Sequence, residues 1–279
     1  LNELSGPQLS QIIINHALIS SLKLKFGYIN FELKDGAIIK LDLSSVDKLG
    51  LGSTTLNKFL GSILSLNLLK QLDIKFNNLT NLPRIPFKVP SLRSLDLSFN
   101  RLLGLPESIK SFESLRVLNL KSNRIKQLPD SIGILSKLEV LNVRANRLNK
   151  IPESIDGLVS LHALDLHGNH LESLPESFKS LTSLRELELG WNKFRTFPKS
   201  LKFLTSLKKL GLGGNNLASI PDAVFTHLTS LKELHLHDNS IEQIPQTIQA
   251  LSSLEVLFLR NNRLKQLPKS LGELKSLKV

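Results

Sequence analysis

The chain has 279 residues, of which 41% are hydrophobic but only 5% aromatic, and its formal net charge at pH 7 is +12. It contains no cysteine, which excludes a disulfide framework, a thiolate metal site and a cysteine nucleophile. No stretch approaches the roughly 18 consecutive apolar residues of a membrane-spanning helix. Because the lack of cysteine favours a reducing compartment, we expect a cytoplasmic protein; the alternative is a secreted bacterial effector or surface protein.

Residues 1–68 carry signals for two helices and a hairpin. Apolar side chains at helical spacing, Ile13 and Ile19 among them, predict a helix from Gly6 to about Leu22. Alternating segments at 26–33 and 37–43, on either side of Asp35-Gly36, predict a β-hairpin. A second helix is expected over about 54–66. We interpret 1–68 as an α+β cap on the first repeat, with an independent small domain as the alternative.

From Leu69 to Val279 the chain follows a repeat, with nine full copies and the start of a tenth. Each copy has the form LxxLxLxxNxL, and the spacing is 23 residues except for one step of 24, where Ala223–His227 adds a residue. A terminal repeat without a cap leads us to expect that the natural chain continues. The repeated asparagines are Asn77, Asn100, Asn123, Asn146, Asn169, Asn192, Asn215, Asn239 and Asn262.

The residue types within a copy predict its local structure. Leu72 and Ile74 alternate with polar neighbours, as in a short strand with one buried face. The asparagine amide can both donate and accept, which suits an internal ladder that pairs the backbone groups of the following turn. A proline six residues after each asparagine predicts a short convex helix or turn. In the first copy Pro86 favours an extended segment instead.

These motifs resemble the intracellular 23-residue class of leucine-rich repeats, LxxLxLxxNxLxxLPxxIxxLxx. That class occurs in Ras-group scaffolds, in scribble-type polarity proteins and in bacterial and protist proteins. The resemblance implies an α/β fold: a right-handed horseshoe with a concave parallel sheet and convex short helices or 3-10 turns. It also implies a protein partner on the concave face. In the Ras-group scaffolds the partners are small GTPases and a phosphatase, but nothing in this sequence selects them.

Stacked strands place equivalent residues in columns about 4.8 Å apart, so the concave surface is predictable. The first set, here called the acidic column, is Asp73, Asp96, Asn119, Asn142, Asp165, Glu188, Gly211, His235 and Phe258. Beside it runs the basic column, Lys75, Ser98, Lys121, Arg144, His167, Gly190, Gly213, His237 and Arg260. The columns either neutralise each other or form a polar docking strip.

A third column, the residues just before the asparagines, contains Trp191, the single tryptophan. Exposed tryptophan is typical of binding hot spots, and Gly211, Gly213 and Gly214 next to it suggest a bare notch for a partner. The alternative is that Trp191 folds over the missing side chains. The predicted partner-binding residues are Phe76, Asp96, Phe99, Lys121, Arg144, Asp165, His167, Glu188, Trp191, Gly213, His235, His237, Asp238, Phe258 and Arg260.

Signals for catalysis, metals and cofactors are weak. His235 and His237 lie near Asp238, but a third ligand is not evident, so no metal and no cofactor are predicted. Gly211-Leu212-Gly213-Gly214 ends a repeat strand and is not followed by a phosphate-binding helix. We therefore expect no enzymatic activity in this chain.

The sequence favours a protein-interaction scaffold or recognition domain of a larger chain. The alternatives are an anionic partner, nucleic acid or lipid, bound through the excess of lysine and arginine, or the recognition half of an enzyme whose catalytic domain lies elsewhere. Nucleic acid is disfavoured because the acidic column interrupts the basic one.

Overall fold

The structure is a computed structural model that describes residues 6–46, 52–83 and 89–278, with side chains for 12–46, 55–83 and 89–278. In chain order, helix α1 (Gly6–Phe26) is followed by a hairpin of β1 (Asn30–Lys34) and β2 (Ala37–Asp42) and then by helix α2 (Gly52–Ile63). The N-terminal segment is thus α+β, and its elements follow the predicted order.

The hairpin turns at Asp35-Gly36, as predicted, and both residues have positive φ, 51° and 74°. This is the backbone of a two-residue type I′ turn, which aspartate and glycine tolerate. The helix prediction was less accurate: α1 runs past Leu22 because Leu22 and Phe26 both enter the core. Ile13, expected on the buried face, is exposed, while Asn15 is buried and donates to the carbonyl of Gly36 at 3.1 Å.

The repeats form nine short strands, each of three residues. They are β3 (Gln71–Asp73), β4 (Ser94–Asp96), β5 (Val117–Asn119), β6 (Val140–Asn142), β7 (Ala163–Asp165), β8 (Glu186–Glu188), β9 (Lys209–Gly211), β10 (Glu233–His235) and β11 (Val256–Phe258). All pair in parallel with their sequence neighbours, and β2 pairs in parallel with β3, so one open sheet has the order β1 to β11. The α/β solenoid predicted from the repeats is confirmed.

From the second repeat on, the side of the repeat opposite the sheet is a 3-10 helix preceded by proline. These helices are Glu107–Ser111, Asp130–Ile134, Glu153–Gly157, Glu176–Ser180, Lys199–Phe203, Asp222–Val224, Gln246–Ala250 and Lys269–Glu273. The residue three positions after the proline, such as Ile109 or Phe178, is buried in every one of these helices except the last, where Leu271 is half-buried. In the longer copy the helix is shorter and Phe225 fills the core. The expectation for Pro86 falls outside the described residues.

The repeated asparagines lie at the turn that follows each strand and link successive repeats. Asn146 is representative: its Nδ2 donates to the carbonyls of Leu120, 2.9 Å away in the preceding repeat, and of Val143, 3.1 Å away in its own. Its Oδ1 accepts from the backbone N–H of Ile125 at 3.0 Å. Seven of the nine are buried, whereas Asn239 and Asn262 near the C-terminal end are half-buried. Asn77 also donates to the carbonyl of Leu43 at 2.7 Å, which ties the N-terminal segment to the first repeat.

We predict that Asn146→Ala lowers the free energy of unfolding by about 3 kcal/mol, because it leaves buried backbone groups in two repeats without a partner. Urea unfolding followed by circular dichroism measures the change. Asn149→Ala, an exposed asparagine of the same repeat, is the control and should stay within about 0.5 kcal/mol of the parent. Equal losses in the two variants would refute the structural role of the ladder.

The convex helices approach most closely at Gly133 and Gly157. A Cβ on Gly133 would overlap the carbonyl oxygen of Ser154, and one on Gly157 would overlap the carbonyl oxygen of Gly133. Backbone atoms cannot move aside as a flexible side chain can. These two glycines therefore permit the contact between the 3-10 helices Asp130–Ile134 and Glu153–Gly157.

Gly133→Ala should consequently destabilise the chain by about 2 kcal/mol through overpacking. The control is Gly272→Ala, at the same position of the last 3-10 helix, where an added Cβ meets nothing within 4 Å. That variant should be neutral or slightly stabilising, since alanine lowers the entropy of the unfolded chain. Thermal unfolding of both variants checks the difference, and a neutral Gly133→Ala contradicts the close approach.

Candidate partner-binding face

The pairing of the strands brings the predicted columns onto one face of the sheet. Asp73 pairs with Asp96, Asp165 with Glu188, and His235 with Phe258. The leucine at the centre of each strand is buried, whereas the residues of the acidic column are mostly half-buried. Side chains on this face therefore emerge in rows that run across the repeats.

The acidic column has a local structural role that the sequence analysis missed. The side-chain oxygen of Asp96 accepts from the backbone N–H of Ser98 at 2.8 Å, and Asn142 and Asp165 do the same for Arg144 and His167 at 3.0 Å. An aspartate or asparagine that bonds to the backbone two residues on stabilises a turn. The occurrence of both Asp and Asn in this column was the sequence signal for this turn, since both side chains carry the same acceptor oxygen.

Ion pairs join the acidic and basic columns at some positions. Lys75 lies 2.5 Å from Asp73, and Arg144 lies 3.9 Å from Asp165. Farther along, Lys209, which belongs to neither column, contacts Glu188 at 3.2 Å. Burial opposes the charge of Lys209, but Glu188 and Glu233 outweigh it and raise the pKa of Lys209. The two columns thus neutralise each other in part.

The third column has a left-handed backbone at every position. Its members, here called the pre-asparagine column, are Phe76, Phe99, Ser122, Ala145, Gly168, Trp191, Gly214, Asp238 and Asn261, with φ between 53° and 70°. Glycine and asparagine tolerate this conformation, but bulky aromatic residues rarely adopt it. The presence of Gly, Asp and Asn in the column was a sequence signal for the turn. The aromatic residues in it occupy a costly backbone position.

Trp191 is 58% exposed, yet its ring also covers part of the backbone. A Cβ on Gly214 would lie 2.8 Å from the indole. Neighbouring side chains also cover the other two glycines of the predicted notch: Glu188 lies over Gly211 and His237 lies over Gly213. The notch is therefore lined by these side chains and is not the bare patch of backbone expected from the sequence.

A cavity of about 510 Å³ lies on the sheet face around this notch. Its lining also includes Glu186, Lys209 and Gly190, which the sequence analysis did not select. Of the predicted partner-binding residues, the cavity brings together Arg144, Asp165, His167, Glu188, Trp191, Gly213, His235 and His237.

The remaining predicted residues lie toward the two ends of the face. Phe76 and Phe99 stack with ring centroids 4.4 Å apart, and Lys121 lies 5.5 Å from the Phe99 centroid. Asp96 joins this N-terminal group through Asn119, which donates to it at 3.0 Å. At the other end are Asp238, Phe258 and Arg260, with Arg260 3.8 Å from Asp238.

Three histidines line the cavity. His235 packs against Phe258 with ring centroids 4.9 Å apart, and against His237 at 6.1 Å. Burial lowers the pKa of His235, and burial together with the charge of Arg144 lowers the pKa of His167. Among the described residues no group of three or more His, Cys, Asp and Glu side chains is arranged to hold a metal ion.

We predict that the pKa values of His167 and His235 lie below the ordinary value of about 6.5. Since the folded state then binds fewer protons than the unfolded state, the free energy of unfolding should fall as the pH drops from about 7 to about 5. NMR titration of the imidazole Cε1 protons measures both midpoints, and the His167→Asn/His235→Asn variant should lose less stability over that range. Midpoints at or above the ordinary value would contradict the burial of these rings.

A sheet of short parallel strands, one per repeat of 23 or 24 residues, with 3-10 helices after β4 to β11, defines a solenoid repeat protein. A family model described as Leucine rich repeat matches residues 67–125, 113–171, 174–217 and 205–264. These matches cover more than half of the chain. The chain therefore belongs to the leucine-rich-repeat family, whose domains serve generally as protein-interaction modules and typically lack enzymatic activity.

Solved structures support the same assignment. A leucine-rich-repeat protein of Leptospira interrogans superposes with a TM-score of 0.67 at 35% identity, over 78% of this chain and 61% of that protein. A TDR receptor gives 0.70 at 28% identity, over 81% of this chain and 40% of the receptor. The PEPR1-AtPEP1 complex gives 0.71 at 24% identity, over 97% and 44%, which shows the fold alone. The chain thus spans less than two thirds of each of these proteins.

Two further observations complete the comparison. Curated proteins give no match to the chain. Among the described residues, no helix is both long enough and apolar enough to cross a bilayer.

Proposed function

We propose that this chain is a scaffold or recognition module that holds a protein partner on the concave face of its sheet. The observation that carries the proposal is Trp191: a large aromatic side chain, 58% exposed, on a left-handed backbone beside the cavity. Exposed aromatic residues next to half-buried polar groups are typical of the centre of protein interfaces. The stacked pair Phe76 and Phe99 adds a second exposed apolar element on the same face.

Residues 1–68 are proposed to cap the solenoid. In support, β2 extends the sheet beyond β3, and Leu22, Leu41 and Leu72 belong to one continuous core. An independent domain would be expected to have its own core.

The lack of cysteine supports a cytoplasmic location. Fractionation of source cells distinguishes this location from secretion or a bacterial surface.

The alternatives differ in the partner that they require. Binding of nucleic acid or lipid through excess positive charge predicts retention on heparin or oligonucleotides at moderate salt. Small GTPases and phosphatases are candidates by family resemblance, and no feature of the face selects them. In the remaining alternative, the recognition half of an enzyme, the catalytic domain would lie in sequence outside this chain.

Site-specific photo-crosslinking tests the location of the partner. A benzophenone amino acid replaces Phe258, an exposed ring on the sheet face, or Phe203, an exposed ring on a convex 3-10 helix. Incubated with extract of the source cells, the Phe258 variant should form a defined protein adduct that the Phe203 variant does not form. The same adduct from both variants, or an adduct from the Phe203 variant alone, would reject the concave site.

Trp191→Ala should weaken binding of the protein identified in that adduct about 30-fold, as expected for a hot spot worth about 2 kcal/mol. Isothermal titration calorimetry gives the affinity, and thermal unfolding confirms that the variant is folded. Phe203→Ala is the matched control, since it removes a similarly exposed ring from the convex side. Unchanged affinity in a folded Trp191→Ala protein would remove Trp191 from the site.

A further inference from the structure

Three small residues leave a gap in the pre-asparagine column. Ser122, Ala145 and Gly168 lie between the rings of Phe99 and Trp191, which are 41% and 58% exposed. Their backbones are in register, because Ser122 and Ala145 each donate at 2.8 Å to a carbonyl of the next repeat. The result is a shallow trough with an aromatic ring at each end. Four strand spacings separate the rings, which makes the trough about 19 Å long.

Cations line both sides of this trough. Lys121 and Arg144 lie on the inner side, in the basic column, and Arg124 and Arg147 lie on the outer side, just after their asparagines. The outer residues are exposed and held in register, since the N–H of Arg124 donates to Leu102 and that of Arg147 to Ile125, both at 2.9 Å. The trough therefore carries positive charge at regular intervals on each side.

The carboxylates of the acidic column along the trough, Asp96, Asp165 and Glu188, belong to repeats other than those of Arg124 and Arg147. At the centre of the trough the acidic column is neutral, with Asn119 and Asn142 in place of aspartate. Arg144 lies at the far limit of an ion pair with Asp165, at 3.9 Å. Within the described part of the chain, Arg124 and Arg147 form no ion pair with a carboxylate.

The opposite flank of the repeats also carries arginines. There the column that contains Arg93, Arg116 and Arg185 also contains Glu139 and Glu255. Arg116 pairs with Glu139, and Glu255 pairs with lysines on both sides. Within the described residues Arg93 and Arg185 form no ion pair, so they are exposed, unpaired cations like Arg124 and Arg147 but lie away from the trough.

We propose that the trough binds an extended acidic segment of a protein, about six residues long, with an apolar side chain at each end. Arginine pairs closely with carboxylates, and the rings of Phe99 and Trp191 offer contacts to apolar residues that flank them. This inference rests on the proposed function, since it specifies the chemistry of a partner on the same face.

The geometry favours a peptide over other polyanions. Single-stranded nucleic acid stacks successive bases on aromatic side chains, but the floor of the trough offers serine, alanine and glycine. A bilayer surface is flat, so it would rest on the protruding rings and not enter the space between them. An extended chain fits a narrow groove and places acidic side chains toward both walls.

Fluorescence anisotropy at low ionic strength tests the proposal. The probe is a labelled peptide of six glutamates with a leucine at each end; the comparison peptide has glutamine in place of glutamate. The glutamate peptide should bind, and its affinity should fall as salt screens the charges. The Arg124→Gln/Arg147→Gln variant should bind about tenfold more weakly, while the matched Arg93→Gln/Arg185→Gln variant, with the same change in net charge, should stay within about twofold.

Several results would overturn the proposal. Equal losses in the two double variants would show that net charge, and not the trough, binds the peptide. Equal binding of the glutamine peptide would remove the role of charge. A thymidine oligonucleotide or phosphatidylserine vesicles that bind more tightly, with the same dependence on Arg124 and Arg147, would assign the trough to nucleic acid or lipid. If the glutamate peptide does not bind but the Phe258 benzophenone variant forms its protein adduct, only the trough is rejected. If the Phe258 variant forms no such adduct, the proposed function is rejected.

Discussion

Each repeat must reverse its direction immediately after a strand of three residues, and this turn places backbone groups inside the solenoid, away from water. The asparagine amide satisfies them: in Asn169, Nδ2 donates to Val143 and Leu166, at 3.0 and 2.9 Å, and Oδ1 accepts from Leu148. Since two of these partners belong to the preceding repeat, the same hydrogen bonds that close a turn also fix the offset between repeats. Leucine packing alone would allow neighbouring strands to slide.

The fixed offset determines the surface as well as the core. Once Leu141 pairs with Leu164, Asn142 must lie beside Asp165. Each outward side chain of a strand thus has its neighbour 23 residues away, or 24 in the longer copy. Whether two charged side chains are neighbours therefore depends on their positions in the columns and not on their separation along the chain. The net charge of +12 does not show where positive charge is exposed, because Arg116, paired with Glu139, and Arg124, which has no ion pair among the described residues, contribute equally to it.

The periodic features were predictable because each follows from one residue type in one place. Buried leucines, asparagines at the turn, prolines before the 3-10 helices and the hairpin at Asp35-Gly36 all have local causes. The details of the notch were not predictable, since the positions of Glu188, Trp191 and His237 depend on the space that glycines leave in the adjacent repeat. The buried face of α1 was also missed: its periodicity does not reveal that Asn15 would be buried by bonding to the hairpin.

The pre-asparagine column separates structural from functional requirements on a single row of residues. Every position has the same left-handed backbone, so stability alone would favour glycine or asparagine throughout. Gly168 and Gly214 meet that preference, while Phe99 and Trp191 do not and remain 41% and 58% exposed. Phe99 offsets part of the backbone cost by stacking on Phe76, with ring centroids 4.4 Å apart, and Trp191 does so by covering Gly214. The exposed part of each ring is the part that the proposed partner would contact.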